Sequence, residues 1–281
     1  MHNLNLTDET FDVNQSSNYF LLMQSSLSGF SYSVVDSVRN KCILLKHFDT
    51  PNFDWFGYRN FLNTVIEGDS NLKLSYKGVS HILVTKDFTM VPDTFVSPGE
   101  DNLSLYFPGT DPQTNNFIAT ASEASKAVIV CPYPKVLAEL LQKCFPGVRL
   151  THLCLPFISN LINESARTLR HVFNMIINDG FITIGVAHSS RLDFINTFKA
   201  QTFEDILYYL VTVLDKFKVT PDVAEVYVQN STFNPDIMTK LHSNIGRVRN
   251  LKASQNMVYS YIITEDLLER YANMLNLYHC E

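Results

Sequence analysis

Glycine is scarce in this chain, 10 residues in 281. No G-x-G and no G-x-S-x-G occurs, so neither a dinucleotide fingerprint nor a nucleophile elbow is present. Five cysteines (Cys42, Cys131, Cys144, Cys154, Cys280) are odd in number, scattered, and form no C-x-x-C pair. That spacing indicates neither a zinc ribbon nor a disulfide framework; it predicts reduced, mostly buried thiols and a cytoplasmic protein. Basic residues are also few: Lys and Arg number 22 against 28 Asp and Glu, a net charge of −6. The chain therefore lacks the basic footprint of non-specific nucleic-acid binding. The local cluster Arg247-Val248-Arg249 with Lys252 reads as a solvated helix end. Apolar runs such as Ile206–Leu214 fall short of the roughly 20 residues a membrane-spanning helix needs. The opening Met-His-Asn-Leu-Asn-Leu-Thr-Asp-Glu-Thr is acidic and is not read as a signal peptide.

What is present is an ordinary globular balance, 46% hydrophobic and 18% charged, in a chain long enough for one large core or two smaller ones. The most regular stretch is three strand-like runs in succession, Val172–Asn178, Phe181–His188 and Leu192–Lys199. The first turn is Asn178-Asp179-Gly180, a strong hairpin signal, and the second Ser189-Ser190-Arg191. A helix follows with Thr202 as N-cap and Asp205 three residues on, near the capping-box spacing, and an apolar face including Phe203, Ile206, Leu210 and Leu214. Then come a strand at Ala224–Gln229, a helix opened by Asn234-Pro235, a strand at Met257–Ile263 and a last helix capped by Thr264.

The same order is legible near the N-terminus, after a polar leader or edge segment. Tyr19–Ser26 begins with a continuous apolar run, as suits a strand covered on both faces. Phe30–Val38 and Lys41–Phe48 follow, then a helix around Trp55–Ile66 with Tyr58, Phe61, Leu62 and Val65 in one stripe. Val79–Thr85 is the next strand, and Pro92 ends any ladder and opens a helical turn. Glu100–Lys126 is the least regular region. Two further strand-and-helix units are read at Ala127–Cys131 with a helix opened by Pro134, and at Val148–Cys154 with a helix over Pro156–Glu164. The boundary between halves falls near Ser165–Leu169.

Three antiparallel strands, a helix, a parallel strand and a helix resemble the ribonuclease-H-like unit, and two such units in one chain look like the actin-like ATPase fold. The stretch Ala127-Val128-Ile129-Val130-Cys131-Pro132-Tyr133-Pro134, its helix, and Phe145-Pro146-Gly147-Val148-Arg149-Leu150-Thr151-His152 resemble the corresponding passage of bacterial pilus-assembly and cell-division actin homologues. Lys86-Asp87-Phe88-Thr89-Met90-Val91-Pro92 is similar to a signature of an uncharacterised, mainly Bacteroidetes family with that fold. The likeness runs roughly from Tyr19 to Ile263. It implies an α/β protein of two ribonuclease-H-like halves, 1–168 (with an inserted subdomain at about 100–147) and 169–281.

The resemblance also implies what an active site would need: two Asp-x-Gly hairpins against the phosphates of ATP, with carboxylates holding magnesium through water, and a glycine pair after a late strand. Here the first hairpin reads Ser25-Ser26-Leu27-Ser28-Gly29-Phe30, with the glycine and without the aspartate. The second keeps Asp179 and Gly180, but adjacent, as turn chemistry alone would have them. After the late strand stands Val228-Gln229-Asn230-Ser231-Thr232, without glycine. Gly180 and Gly185 have the spacing of a phosphate loop, yet Val186-Ala187 occupy the Lys-Ser/Thr positions. The reading is therefore a non-catalytic, protein-binding adaptor or scaffold, with no catalytic or metal-ligating residue and no cofactor. The alternative is a degenerate ATPase or sugar-kinase-like enzyme using ATP and magnesium in an inter-domain cleft, with Asp179, Gly180, Ser28 and Gly29 as nucleotide-facing candidates. The identity of a protein partner is open, as is homo-oligomerisation. His152 and Cys154 are placed on one face of a strand. His47 with Asp49, and His188 near Asp193, are read as chance proximities. Phe53, Trp55 and Phe56 are a candidate contact patch or pack under their loop.

Overall fold

The computed structural model describes residues 4–51, 54–96, 102–232 and 234–280, and divides into two compact units. The first comprises Met1–Leu155, Gln255–Thr264 and Leu277–Glu281, the second Pro156–Ser254 and Glu265–Asn276.

The leader supplies an edge strand, β1 (Leu4–Thr7), which pairs antiparallel with the end of the meander. The meander is β2 (Tyr19–Ser26), β3 (Gly29–Asp36) and β4 (Lys41–Asp49). Every residue of β3 is buried, as expected of a strand covered on both faces. Helix α1 (Trp55–Gly68), opened by Asp54 accepting the Gly57 N–H, leads to β5 (Gly78–Leu83), which lies parallel to β2. Then β6 (Thr89–Pro92), β7 (Asn115–Ser122) and β8 (Ala127–Pro134) make a separate three-stranded antiparallel sheet. The strand β7 corrects the irregular reading of residues 100–126; its opening residues are polar and only partly buried, so it shows little of the alternation by which strands are recognised. Helix α2 (Lys135–Cys144) follows Pro134 directly and precedes β9 (Arg149–His152), parallel to β5. Tyr58 and Leu62 of α1 and Leu137 and Leu141 of α2 share one core cluster with Leu21, Met23, Tyr32 and Val34 of the sheet.

Helix α3 (Cys154–Ser165) starts at the residue expected to end a strand. Cys154 therefore does not alternate with His152; its backbone N–H donates to His152 Nδ1 at 3.3 Å instead. The second meander is β10 (Val172–Asn178), β11 (Phe181–His188) and β12 (Arg191–Lys199). After α4 (Phe203–Lys216), β13 (Glu225–Asn230) and α5 (Asp236–Asn244) comes β14 (Arg247–Asn250). The Arg247-Val248-Arg249 cluster is thus a strand and not a helix end. Val248 points inward, and both arginines pair with Glu225, at 3.6 and 2.6 Å. Of Met257–Ile263 only β15 (Val258–Tyr259) is extended, pairing parallel with Lys41 and Cys42 in the first unit. The last helix is interrupted at Tyr271 into α6 (Glu265–Arg270) and α7 (Ala272–Asn276).

The two meander sheets share one topology. In the first unit the order is β4-β3-β2-β5-β9, with β1 and β15 both on β4; in the second it is β12-β11-β10-β13-β14. Each has three antiparallel strands followed by two parallel ones reached through helices, which is the duplicated module of the actin-like fold.

Candidate functional site

The hairpins that would face phosphates in an actin-like ATPase lie one in each unit: Ser28 and Gly29 between β2 and β3, Asp179 and Gly180 between β10 and β11. Each is closed by its own groups. In the first, the Gly29 N–H donates to Ser26 Oγ at 3.1 Å, and Ser26 Oγ also lies 2.9 Å from Ser28 Oγ. Tyr58 OH donates to the Gly29 carbonyl at 3.3 Å. The glycine answers a packing demand, since a Cβ there would sit 2.6 Å from His47 Cε1 and 3.1 Å from the Phe48 carbonyl oxygen. His47 is itself held by Ser31 Oγ at 2.8 Å and Asp49 Oδ1 at 3.0 Å, so its spacing to Asp49 is a real contact.

Behind this hairpin stands a buried polar chain that sequence reasoning missed. His81 Nε2 lies 2.8 Å from Ser25 Oγ, and Tyr133 OH 2.7 Å from His81 Nδ1. Burial pushes the imidazole down to about 3 and the tyrosine well above its ordinary value, so both stay neutral and the ring donates on one side and accepts on the other. Serine, histidine and tyrosine are each completely enclosed or nearly so, and the chain braces β2, β5 and β8 against one another. In sequence the signal is weak: Ser25 belongs to the polar end Gln24-Ser25-Ser26 of β2, and His81 follows Ser80 in the six-residue β5. Cys154 and His152 are likewise inert: burial holds the thiol protonated and pushes the imidazole down to about 4, while His152 Nε2 bonds the Thr85 carbonyl at 2.9 Å.

In the second hairpin, Gly180 adopts φ +80°, which accounts for the residue by backbone conformation alone. Its carbonyl accepts the Ala200 N–H at 3.0 Å. A pocket of about 310 Å³ opens beside it, lined by Asp179, Gly180, Thr202, Glu204, Asp236 and Lys240 among others. The N-termini of α4 and α5 both reach this pocket, and a helix N-terminus ordinarily favours an anion. The chain's own acceptors, however, serve one N–H at the start of each helix and the backbone just ahead of α4. Thr202 Oγ1 takes the Asp205 N–H at 3.2 Å, and Asp205 Oδ2 takes those of Gln201 and Thr202 at 2.9 and 3.0 Å. These backbone donors hold the Asp205 carboxyl below its ordinary range. At α5, Asn234 Oδ1 takes the Asp236 N–H at 3.0 Å. After β13, where an adenosine site would need glycines, Asn230 Oδ1 accepts from the N–H of Thr232 at 3.1 Å and from its hydroxyl at 2.7 Å. Lys240, a cation on the pocket wall, lies over the Phe203 ring at 5.4 Å.

Of the candidate contact patch, Trp55 packs on the first core and edge-on to Tyr58 with ring centres 5.2 Å apart, whereas Phe56 is exposed; Phe53 lies outside the described residues. Among the described residues no helix is long and apolar enough to cross a membrane.

Known proteins agree with this architecture. The crystal structure of a Bacteroides thetaiotaomicron protein "with actin-like ATPase fold and unknown function" has a TM-score of 0.80 and 19% identity, over 97% of this chain and 100% of that one. The PilM–PilN type IV pilus biogenesis complex matches with a TM-score of 0.56 at 10% identity, over 93% and 98% of the respective chains. No curated protein sequence matches the chain. The fold is thus the actin-like ATPase fold. The family model described as "Protein of unknown function (DUF3822)" matches residues 8–245, and the chain belongs to that family.

Proposed function

We propose that this protein is a non-catalytic actin-like scaffold that works as an adaptor, binding another protein in the cytoplasm. The observation that carries the reading is that side chains of the protein already occupy a donor at each place a nucleotide would approach: the first hairpin and the starts of α4 and α5. The Gly29 N–H is taken by Ser26, the Asp205 N–H in the first turn of α4 by Thr202, and the Asp236 N–H that opens α5 by Asn234. A triphosphate would have to displace these bonds, and in the pocket beside the second hairpin it would meet three carboxylates, Asp179, Glu204 and Asp236, against one cation, Lys240. The pair of Asp-x-Gly hairpins that would hold ATP with magnesium is missing as well: the first hairpin has no carboxylate, and in the second Asp179 and Gly180 are adjacent. The PilM match supplies an analogy only: that protein is seen in a complex with PilN. We assign the two halves to residues 1–168 and 169–281, with an inserted subdomain at about 100–147.

The test has two arms. Titration calorimetry of the whole protein with Mg-ATP is expected to give no binding heat, and affinity purification from the native cell with mass spectrometry a reproducible protein partner. Micromolar Mg-ATP binding would overturn the reading. It would favour the second one, a degenerate nucleotide-binding or sugar-kinase-like enzyme, for which the pocket beside Asp179 and Gly180 speaks; Asp179→Ala would then abolish the heat.

A further inference from the structure

The end of the second sheet away from the Asp179 turn brings together three residues of metal-ligating type. Among the described residues, His171, His188 and Asp193 place one ligand atom each within 4.8 Å of the others. His171 immediately precedes β10, His188 ends β11 and Asp193 lies in β12, and the sheet register explains the convergence. Val172 pairs with Ala187, so one step further His171 stands opposite His188, and the two rings lie 4.9 Å apart. Between β11 and β12, Val186 pairs with Phe194 and Ala187 with Leu192. Asp193 is therefore the surplus residue of a β-bulge, a device that re-aims a side chain.

The first unit makes the same bulge at the same place. There Val34 pairs with Leu44 and Val35 with Cys42, leaving Ile43 as the extra residue. Ile43 is completely buried in the first core. The backbone device thus belongs to the module, and only the second copy places a carboxylate on it. A carboxylate in such a position is costly unless it is paired. The Asp193 side chain is only 13% exposed, and Arg191 holds its Oδ1 at 2.9 Å. Oδ2 is turned to His171, 3.6 Å from Nε2. His188 Nε2 donates to the Leu169 carbonyl at 3.1 Å. That bond fixes the tautomer and leaves Nδ1 with the lone pair, the arrangement by which outer-shell carbonyls orient metal-binding histidines. Phe217 packs on the His171 ring at 5.1 Å, an apolar wall on one side. On another, His171 lines a pocket of about 690 Å³ that gives a route in from solvent.

We infer that His171, His188 and Asp193 form a three-ligand site for a borderline transition-metal ion of the zinc class. Two imidazoles and a carboxylate suit zinc, with cobalt and nickel as substitutes, and three protein ligands leave a coordination position open. Metal–ligand bonds of about 2.0–2.2 Å in a tetrahedron set ligand atoms roughly 3.3–3.6 Å apart. The site lies apart from the pocket at the second hairpin and does not depend on whether nucleotide binds there.

The test is direct titration of the full-length, metal-free protein with zinc, followed by cobalt spectroscopy. The wild type is expected to take up one zinc per chain and to show a rise in melting temperature that a chelator reverses. His188→Ala and Asp193→Asn should each weaken uptake by more than the roughly 10–100-fold that loss of an outer-shell partner costs. His242→Ala, on an exposed helix face, should leave it unchanged. Asp193→Asn keeps the side chain's shape, so a native circular dichroism spectrum with lost uptake separates ligation from misfolding. The cobalt form should show visible bands of nitrogen and oxygen coordination. Absence of uptake by the wild type, undiminished uptake in both ligand variants, or a thiolate-to-cobalt charge-transfer band assigning the metal to cysteine would each overturn the inference.

Discussion

His81 and Glu164 are buried ionisable groups with opposite consequences for stability. His81 has its folded value near 3, below the 6.5 of the free side chain, because burial disfavours the imidazolium. The unfolded chain takes up a proton near 6.5 that the folded chain refuses. The stability tied to this group is complete above that pH and drains away as pH falls toward 3. His152 acts in the same direction, with its value near 4. The urea midpoint should therefore drop as pH is lowered from 7 to 4. His81→Gln should flatten that limb without abolishing it. It should also cost about 1–3 kcal/mol at pH 7, because Ser25 or Tyr133 then loses a buried partner. Glu164 has its value raised, chiefly by burial and against the hydrogen bond of Asn174. Its folded form holds the proton longer than the unfolded one, so its contribution is present below the unfolded value and lost as pH rises through the folded one. Glu164→Gln should make the protein more stable than wild type at pH 8, with the gap closing toward pH 4. The amide oxygen can still accept from Asn174 Nδ2, now 2.9 Å from Glu164 Oε2. A gap that widened on acidification would refute the assignment.

Turns and strands are where local chemistry either matches or strains the fold. The β11–β12 turn puts Ser189 at φ +50° and Ser190 at φ +62°, a pair of left-handed residues of the kind two-residue hairpins require and for which Asn-Gly is better suited. Ser189→Asn with Ser190→Gly should raise stability by about 1 kcal/mol in urea unfolding, since each left-handed residue with a Cβ costs on that order. The main-chain N–H of residue 190, which donates to Ser165 Oγ at 3.0 Å, survives the change. Gly29→Ala should do the reverse and cost about 1–3 kcal/mol, because the new methyl meets His47 and the Phe48 carbonyl. A glycine kept only for ligand approach would tolerate the methyl in the absence of ligand, so the experiment tells packing from binding. The same contrast explains what could be read in advance. The strands at Tyr19, Val172 and Phe181, and the Thr202–Asp205 capping box, are visible because long apolar runs and cap spacing are local signals. The four-residue β14 is not, because Arg-Val-Arg-Asn carries a single inward side chain, and its identity as a strand comes from β13 beside it. His188 and Asp193 were in view, but their partner His171 lies 17 positions before His188, and the bulge that turns Asp193 onto it exists only once β11 and β12 are paired.

At the scale of the molecule, the duplicated strand order is the strongest sign that one module was used twice, yet the chain does not simply finish one copy and begin the next. Residues 255–264 and 277–281 belong with the first unit and residues 265–276 with the second. The C-terminal segment therefore supports both. In the first unit, β15 extends β4, Ser260 bonds Asp8, and the Cys280 carbonyl accepts from Arg149 at 2.8 Å. In the second, the Asn273 N–H donates to Gln229 Oε1 at 2.9 Å, Gln229 Nε2 donates to the Arg270 carbonyl at 2.9 Å, and Asn250 Nδ2 donates to Glu269 at 2.6 Å. Ala272, Met274, Leu275 and Leu277 are completely buried. Burying each large apolar side chain contributes about 1.5–3 kcal/mol, and a domain's whole net stability is about 5–15 kcal/mol. Removing residues 255–281 should thus cost a large part of that stability and strip the buried Gln229 of its bonds to Arg270 and Asn273, leaving only the one to Ser231. The shortened protein is expected to be insoluble, or soluble with its near-ultraviolet circular dichroism lost and dye-binding apolar surface exposed. The family match ends at residue 245, so a fragment cut there would look complete by sequence. A truncated chain with a native near-ultraviolet spectrum and an unchanged urea midpoint would show that this segment decorates each unit and does not stabilise it.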